Sequence, residues 1–390
     1  ITTGIRISIK HKTRLYKKYL RRPNDVNKVA YTSYKNKLLA LIRNARQSYY
    51  MNLLTSDKTN IKQLWKVYAE LLGKSKKKSY RISKLDVGGN LIEGDTNISN
   101  ALNNHFVTKG QRLADNLSDT SAYKDYLTDQ YNNTMFVTPV TEHELISLIH
   151  SLPKNKAPGF DGIGSGIVKQ SADLIVEPLV HIYNMSFTES VVPSKLKVSK
   201  VIPIHKKKEK TLPDNYRPIS LLRIFHKLLE KLMYKRLYSY LKENKILYNY
   251  QFGFRNSHST ILAITEIVDC IREELDSGNS VVGVYLDMSK AFDTVSHKIL
   301  LNKLAYYGIR GHANEWFRSY LDGRIQYTYA NNTLSGLRTV MCGVPQGSVL
   351  GPFLFLVYIN DLETCIRKGK SRLFADDANL FFAGPCIKQL

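Results

Sequence analysis

Residues 27–54 carry apolar side chains at three- and four-residue steps. Tyr31, Tyr34, Leu38, Leu41, Ile42 and Ala45 fall on one face, and this period predicts a helix. A second helix is expected over 61–72, followed by a linker through the lysine run at 74–78. Residues 85–92 read as a hairpin around Gly88 and Gly89, and a helix over about 97–113 follows. The polar stretch 118–134 is a candidate boundary. From about Val137 the texture changes to helices alternating with apolar strands, which points to α+β architecture. Strands are predicted at 198–204 and 281–287, and helices at 219–243 and 260–275. Pro352 fits the first position of a further helix through 353–366. Near the C-terminus, apolar residues 371–375 and 379–383 read as two buried strands around a tight turn.

At 43% hydrophobic residues the chain has the composition of a globular protein with a sizeable core. No run reaches the roughly 20 apolar residues of a membrane span, so no membrane partner is expected. The basic N-terminus lacks the apolar stretch of a secretory signal. It also lacks an initiator Met, which points to an excerpt of a longer protein. Cys270, Cys342, Cys365 and Cys386 are scattered, without zinc-ligand spacing, and read as reduced intracellular thiols.

Charge sharpens the picture. The net charge is +24, and residues 1–80 hold 20 Lys or Arg against three acids, while the other 310 hold 37 against 30. A basic arm on a nearly balanced body suggests a polyanionic partner. Seven aromatic residues are interleaved with these cations: Tyr16, Tyr19, Tyr31, Tyr34, Tyr49, Tyr50 and Trp65. Cations with stacking surfaces suit RNA or single-stranded nucleic acid. A solvated basic helix face, or an anionic membrane surface, is the competing reading.

Candidate chemistry sits in three places. The first is carboxylate. Asp376 and Asp377 lie together at the expected hairpin tip, where two anions repel and call for a cation, a divalent metal above all. A solvated polar turn is the plainer alternative. The apolar strand 281–287 ends on Asp287, which either faces a cleft or caps the next element. The second is the loop Gly343-Val-Pro-Gln-Gly-Ser, where Gly347 allows close backbone approach and Pro345 stiffens it. The third is basic. A strand leads into Lys206, Lys207 and Lys208 and returns to Arg217, a hairpin suited to polyphosphate or simply to water.

Together these motifs acquire meaning. The strand ending on Asp287, Pro345-Gln346-Gly347 and Phe374-Ala375-Asp376-Asp377 occur in the order seen in reverse transcriptases. The wording resembles non-LTR retrotransposons of the jockey-like LINE group. Lys154-Asn-Lys-Ala-Pro-Gly-Phe-Asp-Gly-Ile163, Asn215-Tyr-Arg-Pro-Ile-Ser-Leu-Leu222 and Gln251-Phe-Gly-Phe-Arg255 with Ser259-Thr260 carry the likeness. So do Leu286-Asp-Met-Ser-Lys-Ala-Phe-Asp-Thr-Val295, the stretch from Gly343 to Pro352, and Asn360-Asp-Leu. The match covers about 141–384. Residues 1–80 are more weakly similar to the segment that joins an upstream endonuclease to the polymerase in such elements.

The resemblance implies a right-hand polymerase, with fingers and an antiparallel palm sheet preceded by a basic helical N-terminal region. Its divisions would be a basic RNA-binding linker over 1–80, an extension over 81–135, and fingers and palm over 136–390. The implied activity is RNA-directed DNA polymerisation on an RNA template with a DNA primer and dNTPs. Asp287 and Asp376 would be the main ligands of two Mg2+ ions, or Mn2+ in their place, with Asp377 assisting. Alternation along a strand is the reason for ranking Asp376 above Asp377. Arg217 would hold the triphosphate with Lys206 or Lys207, while Gln346 and Gly347 would line the nucleotide site. Phe292 falls at the family's sugar-discriminating position, where a ring excludes the ribose 2′-hydroxyl. Gln251 and Arg255 would face the template, and 158–162 would be a structural turn of the fingers.

The same resemblance expects an endonuclease before this region, and the primer grip and thumb after it. The chain stops at Leu390, thirteen residues past Asp377, so weak primer–template binding and poor processive synthesis are expected of it. A nuclear site of action follows only from the family's habit of copying RNA at chromosomal DNA. Two other readings compete. One is an RNA-dependent RNA polymerase, which Phe292 disfavours. The other is a non-catalytic, maturase-like RNA-binding protein, which the three aspartates disfavour. Oligomeric state is not readable.

Overall fold

The computed structural model describes residues 2–56, 65, 68–69, 72, 81–115, 122–127, 131–154, 156–206, 208–288, 290–366 and 368–386. The chain divides into two compact units, Ile1–Tyr80 and Arg81–Leu390. Among the described residues no helix is long and apolar enough to cross a membrane. Most of the helix expected at 61–72, the linker at 74–78 and Lys207 lie outside the described residues.

The first unit is a hairpin of two helices, α1 (Thr3–Arg21) and α2 (Asp25–Ser56). Thr2 caps α1 by accepting from the Ile5 amide, and Asn24 caps α2 by accepting from the Asn27 amide at 2.9 Å. Pro23 in the short connection cannot continue the first helix. Tyr31 packs against Tyr16 (5.0 Å between ring centres) and stacks on Tyr19, and His11 meets Tyr34 at 4.7 Å, so the helices run antiparallel. Several of the tyrosines interleaved with the cations therefore serve the helix seam, while Tyr49 stays exposed.

The second unit is α+β. It begins with a hairpin, β1 (Lys84–Val87) and β2 (Asn90–Glu93), turned by Gly88 and Gly89, both at positive φ. Helices α3 (Asp95–Asp115), α4 (Glu142–Ser151), α5 (Ser165–Gln170) and α6 (Ala172–Thr188) follow. Next come β3 (Val198–His205), β4 (Tyr216–Leu221), α7 (Ile224–Glu243), α8 (Thr260–Asp276) and β5 (Ser280–Asp287). The chain continues with α9 (His297–Tyr306), α10 (Gly311–Leu321), β6 (Arg324–Ala330), β7 (Thr333–Leu334), β8 (Arg338–Val340) and α11 (Leu350–Ile359). It closes with β9 (Lys370–Phe374) and β10 (Asp377–Gly384).

Two sheets matter for function. One has the order β5-β10-β9 and is antiparallel throughout. The other has the order β4-β3-β6-β7, with β8 also on β6, and its β3–β6 contact is parallel. The main core lies among the helices. Leu145, Ile149, Leu228, Leu232, Trp316, Phe317 and Phe353 are all essentially buried. Helix α11 is apolar on every side, and eight of its ten residues are buried. At roughly 1.5–3 kcal/mol for each large apolar side chain, this helix alone is a major stabilising element. A smaller cluster of Leu85, Ile98, Leu102, Tyr216 and Ala330 seats β1 and α3 on the β4-β3-β6 sheet.

Three expected boundaries change. Residues 219–221 are strand, not helix, because they pair with 200–202 of β3, and the helix starts at Ile224. The helix expected over 353–366 spans Leu350–Ile359, so Pro352 is its third residue. It stops where Asn360 turns its side chain to the Tyr248 amide (2.8 Å) and the Ile246 carbonyl (2.8 Å). At the last hairpin, Ala375 belongs to the turn and Asp377 to the strand.

Candidate active site

Strand pairing brings the acids together. Asp287 is the last residue of β5 and Asp377 the first of β10, and they are direct cross-strand partners. Directly opposed residues share a face, so these two side chains leave the sheet on the same side. Asp376 precedes the strand, in the two-residue turn between Phe374 and Asp377. The alternation argument that set Asp376 and Asp377 on opposite faces of one strand therefore does not apply. Burial, then Asp376, then Asp287 push the Asp377 carboxyl above the usual carboxylate range.

All three acids line one cleft of about 810 Å³, shared with Lys206, Lys208, Arg217, Lys290, Phe292 and Gln346. Lys206, Lys208 and Arg217 come from the β3–β4 hairpin, where Ile204 opposes Arg217 and His205 opposes Tyr216. Among the described residues neither Lys206 nor Arg217 makes a salt bridge, which leaves both heads for an anion. Lys290 was given no role by its sequence. It stands three residues beyond Asp287, at φ +57°, and donates to the Asp214 carbonyl at 3.3 Å. Burial, then Lys206 and Arg217, lower its pKa, opposed by Asp293. Asp214 is itself held by Lys109.

The Gly343–Gly347 loop is stitched to both neighbours. The Gly343 amide donates to Val295 and the Val344 amide to Phe292, both at 2.8 Å. The Gln346 carbonyl accepts from Ser220 of β4 at 2.7 Å. Its side-chain Nε2 donates to Asp293 Oδ1 at 2.8 Å. Asp293 is a second residue that sequence reasoning left without a role, although its motif was read. Burial raises its pKa, against the Gln346 hydrogen bond and the charges of Lys290 and Lys109. Gly347 is required where it stands. Its φ is +114°, and a β-carbon would lie 2.7 Å from the Ser220 carbonyl oxygen. Beyond the loop, the fully buried Glu230 of α7 accepts from the Val349 amide (2.9 Å) and the Tyr320 hydroxyl (2.5 Å).

Phe292 packs on Phe355 of α11 at 4.9 Å and edge-on to Phe254 at 6.0 Å, with its flank on the cleft. The two residues expected at the template have other surroundings. Gln251 is buried, with its amide bonded to the backbone of Gly253 and Ala375. Arg255 is half-buried, and its Nη1 donates to the carbonyls of Tyr248 (2.7 Å) and Gln251 (3.2 Å). The Gln251 amide and Arg255 Nη1 are engaged by main chain, while the buried Arg255 Nε has no hydrogen-bond partner, and neither residue lines the cleft.

Among the described residues no three His, Cys, Asp or Glu side chains close into a ready-made metal cluster. The donor chemistry nevertheless fits a hard divalent cation. The cleft offers oxygen donors, the carboxylates of Asp287, Asp376 and Asp377 foremost, and the neighbouring acids raise the Asp377 pKa behind the effect of burial. Like charges gathered in one cleft repel, and a divalent cation held by them would offset that repulsion.

Residues 204–389 match the family described as reverse transcriptase (RNA-dependent DNA polymerase). The protein named "Probable RNA-directed DNA polymerase from transposon BS", from Drosophila melanogaster, is 28% identical, over 100% of this chain and 44% of its own length. The same organism's "RNA-directed DNA polymerase from mobile element jockey" is 32% identical, over 62% of this chain and 26% of its own. A third fly relative, named for transposon X-element, is 31% identical over 69% and 30%. The chain thus spans less than half the length of these relatives.

Proposed function

We infer that this chain, whose residues 204–389 belong to the reverse transcriptase family, is the fingers and palm of a non-LTR retrotransposon RNA-directed DNA polymerase. The observation that carries the inference is the single cleft in which Asp287, Asp376 and Asp377 face Lys206, Arg217 and Lys290. Carboxylates for cations and cations for phosphate, within one cavity, are the parts that nucleotidyl transfer requires.

Each side chain has a share of the work. Arg217 and Lys206 bind the triphosphate of the incoming nucleotide, Arg217 as a planar fork and Lys206 as a point charge. Lys290 adds a third charge from beneath. The Phe292 ring fills the space that a ribose 2′-hydroxyl needs, which selects dNTPs. Gln346 spends its amide N–H on Asp293, so its Oε1 and the adjoining Gly347 backbone are left to face nucleotide and template. Asp287, Asp376 and Asp377 are the ligand set for two Mg2+ ions, with Mn2+ as a substitute. When bound, these ions would activate the primer 3′-hydroxyl and stabilise the leaving pyrophosphate. Residues 1–80 are the RNA-binding arm in this reading, residues 81–135 lead into the fingers, and the polymerase body runs over 136–390.

The test is Mg2+-dependent addition of one dNTP to a DNA primer on an RNA template. Asp376→Ala and Asp287→Ala should each lower the rate at least a hundredfold. Undiminished incorporation by either would refute the assignment.

A further inference from the structure

Gln251, expected at the template, is held within the fold by backbone. It is only 4% exposed. Its Oε1 accepts from the Ala375 amide at 2.9 Å and from the Gly253 amide at 2.8 Å. Its Nε2 donates to the Ala375 carbonyl at 3.5 Å. A primary amide offers a donor and an acceptor spaced as in a peptide group, so Gln251 pairs with Ala375 as one strand residue pairs with another.

Ala375 is a residue that needs holding. Its φ is +56°, a left-handed conformation that a β-carbon disfavours. The clamp extends along the backbone. The Leu373 amide donates to Tyr250 at 2.9 Å, and the Phe252 amide donates to Leu373 at 2.8 Å. Gly253 closes the other side, because a β-carbon there would sit 2.2 Å from the Ala375 nitrogen. The residue after this clamped peptide is Asp376.

We propose that Gln251, backed by Gly253, is a positioning residue for the cleft. It fixes the Ala375 peptide in its left-handed conformation and thereby sets the direction of the Asp376 carboxylate, without touching nucleotide or template. The proposal rests on the reading of Asp376 as a metal ligand.

The test is Mn2+ binding by the whole chain, followed by electron paramagnetic resonance, for wild type, Asp376→Ala, Gln251→Met and Gly253→Ala. Gln251→Met keeps the volume and removes both amide functions. Gly253→Ala keeps both amide functions of Gln251 but drives a β-carbon against the Ala375 backbone, so it shifts the same turn by a different route, and circular dichroism of both variants identifies which one folds. Both are expected to weaken Mn2+ binding five- to tenfold, with primer–template Kd within twofold of wild type. In single-nucleotide addition both should lower kcat with the dNTP KM unchanged. Wild-type Mn2+ affinity in both, alongside a loss in Asp376→Ala, would overturn the positioning role alone. So would a tenfold rise in primer–template Kd with Mn2+ binding unchanged, which would make Gln251 a template residue. Unchanged Mn2+ binding in Asp376→Ala would instead overturn the metal reading, and this proposal with it.

Discussion

Asp287 and Asp377 oppose each other across the β5–β10 pair, and burial, Asp376 and Asp287 together make the Asp377 charge harder to hold. The folded state raises the Asp377 pKa above its unfolded value, so proton binding favours folding. That contribution is present below the unfolded value near 4 and is lost as pH rises through the raised one. At neutral pH the metal-free fold therefore carries the repulsion. Asp377→Asn is expected to raise the metal-free melting temperature by about 1–2 °C at pH 7.5. The gain should shrink toward pH 4. The same variant should lose most nucleotide incorporation. A lower melting temperature at neutral pH would contradict the electrostatic account.

Lys290 should act on nucleotide affinity. Lys290→Ala is expected to raise the dNTP KM about tenfold, as for a lost charge-assisted contact to phosphate, with kcat within about threefold. Because its pKa is lowered, Lys290 gives up its charge at a lower pH than an ordinary lysine. The wild-type KM should accordingly rise as pH increases from 8 to 10, and more steeply than that of Lys290→Ala. Parallel pH profiles would remove Lys290 from the phosphate site.

The sugar selection proposed for Phe292 has a direct test. Phe292→Ala opens the space beside Phe254 and Phe355 and should raise rNTP relative to dNTP incorporation by about 10–200-fold, the range for steric exclusion in an apolar site. Competition between labelled rNTP and dNTP on one template measures it directly. An unchanged ratio would place sugar selection elsewhere.

Gly347→Ala tests the seam between the loop and β4. The variant must hold φ near +114° and push a methyl group toward the Ser220 carbonyl. A cost of about 2 kcal/mol in urea unfolding is expected. Displacing Gln346 by even a fraction of an ångström should also cost at least tenfold in incorporation. Wild-type stability would show that the loop has another accessible conformation.

Glu230 supports the same loop from the protein interior. Glu230→Ala leaves the Val349 amide and the Tyr320 hydroxyl without their acceptor in the buried interior. The expected loss is about 3 kcal/mol of unfolding free energy, measured by chemical denaturation. A loss below about 1 kcal/mol would mean that water or a neighbour replaces the carboxylate.

Some of this molecule was plain in its residues. Long amphipathic or uniformly apolar segments declared themselves, so the helix read over 27–54 emerges as Asp25–Ser56 and the strand over 281–287 as Ser280–Asp287. Boundaries set by tertiary pairing did not. Ile219 and Leu221 continue the apolar rhythm of the following helix, and only β3 makes them a strand. Strand β6 escaped notice because its alternation, in Arg-Ile-Gln-Tyr-Thr-Tyr-Ala, buries Arg324, Gln326 and Thr328. Within the cleft, acids beside apolar strands were legible because desolvated charge is costly wherever it occurs. The backbone bonds of Gln251 were not, since an amide suits solvent, template or backbone equally well, and only the fold brings Gly253 and Ala375 to it. Lys290 was hidden for the same reason among 57 lysines and arginines.

The order β5-β10-β9 has a consequence for how the chain is made. Strand β10 follows both neighbours in sequence yet lies between them. At ordinary ribosomal speeds, β5 waits on the order of ten seconds for the partner that supplies Asp377. During that interval Val281, Val282, Val284, Tyr285 and Leu286 present an apolar strand with unmade hydrogen bonds, a template for mispairing. Nascent chains that stall before Asn379 should therefore be the aggregation-prone species of this protein, and a chaperone acting during synthesis would find its target at β5.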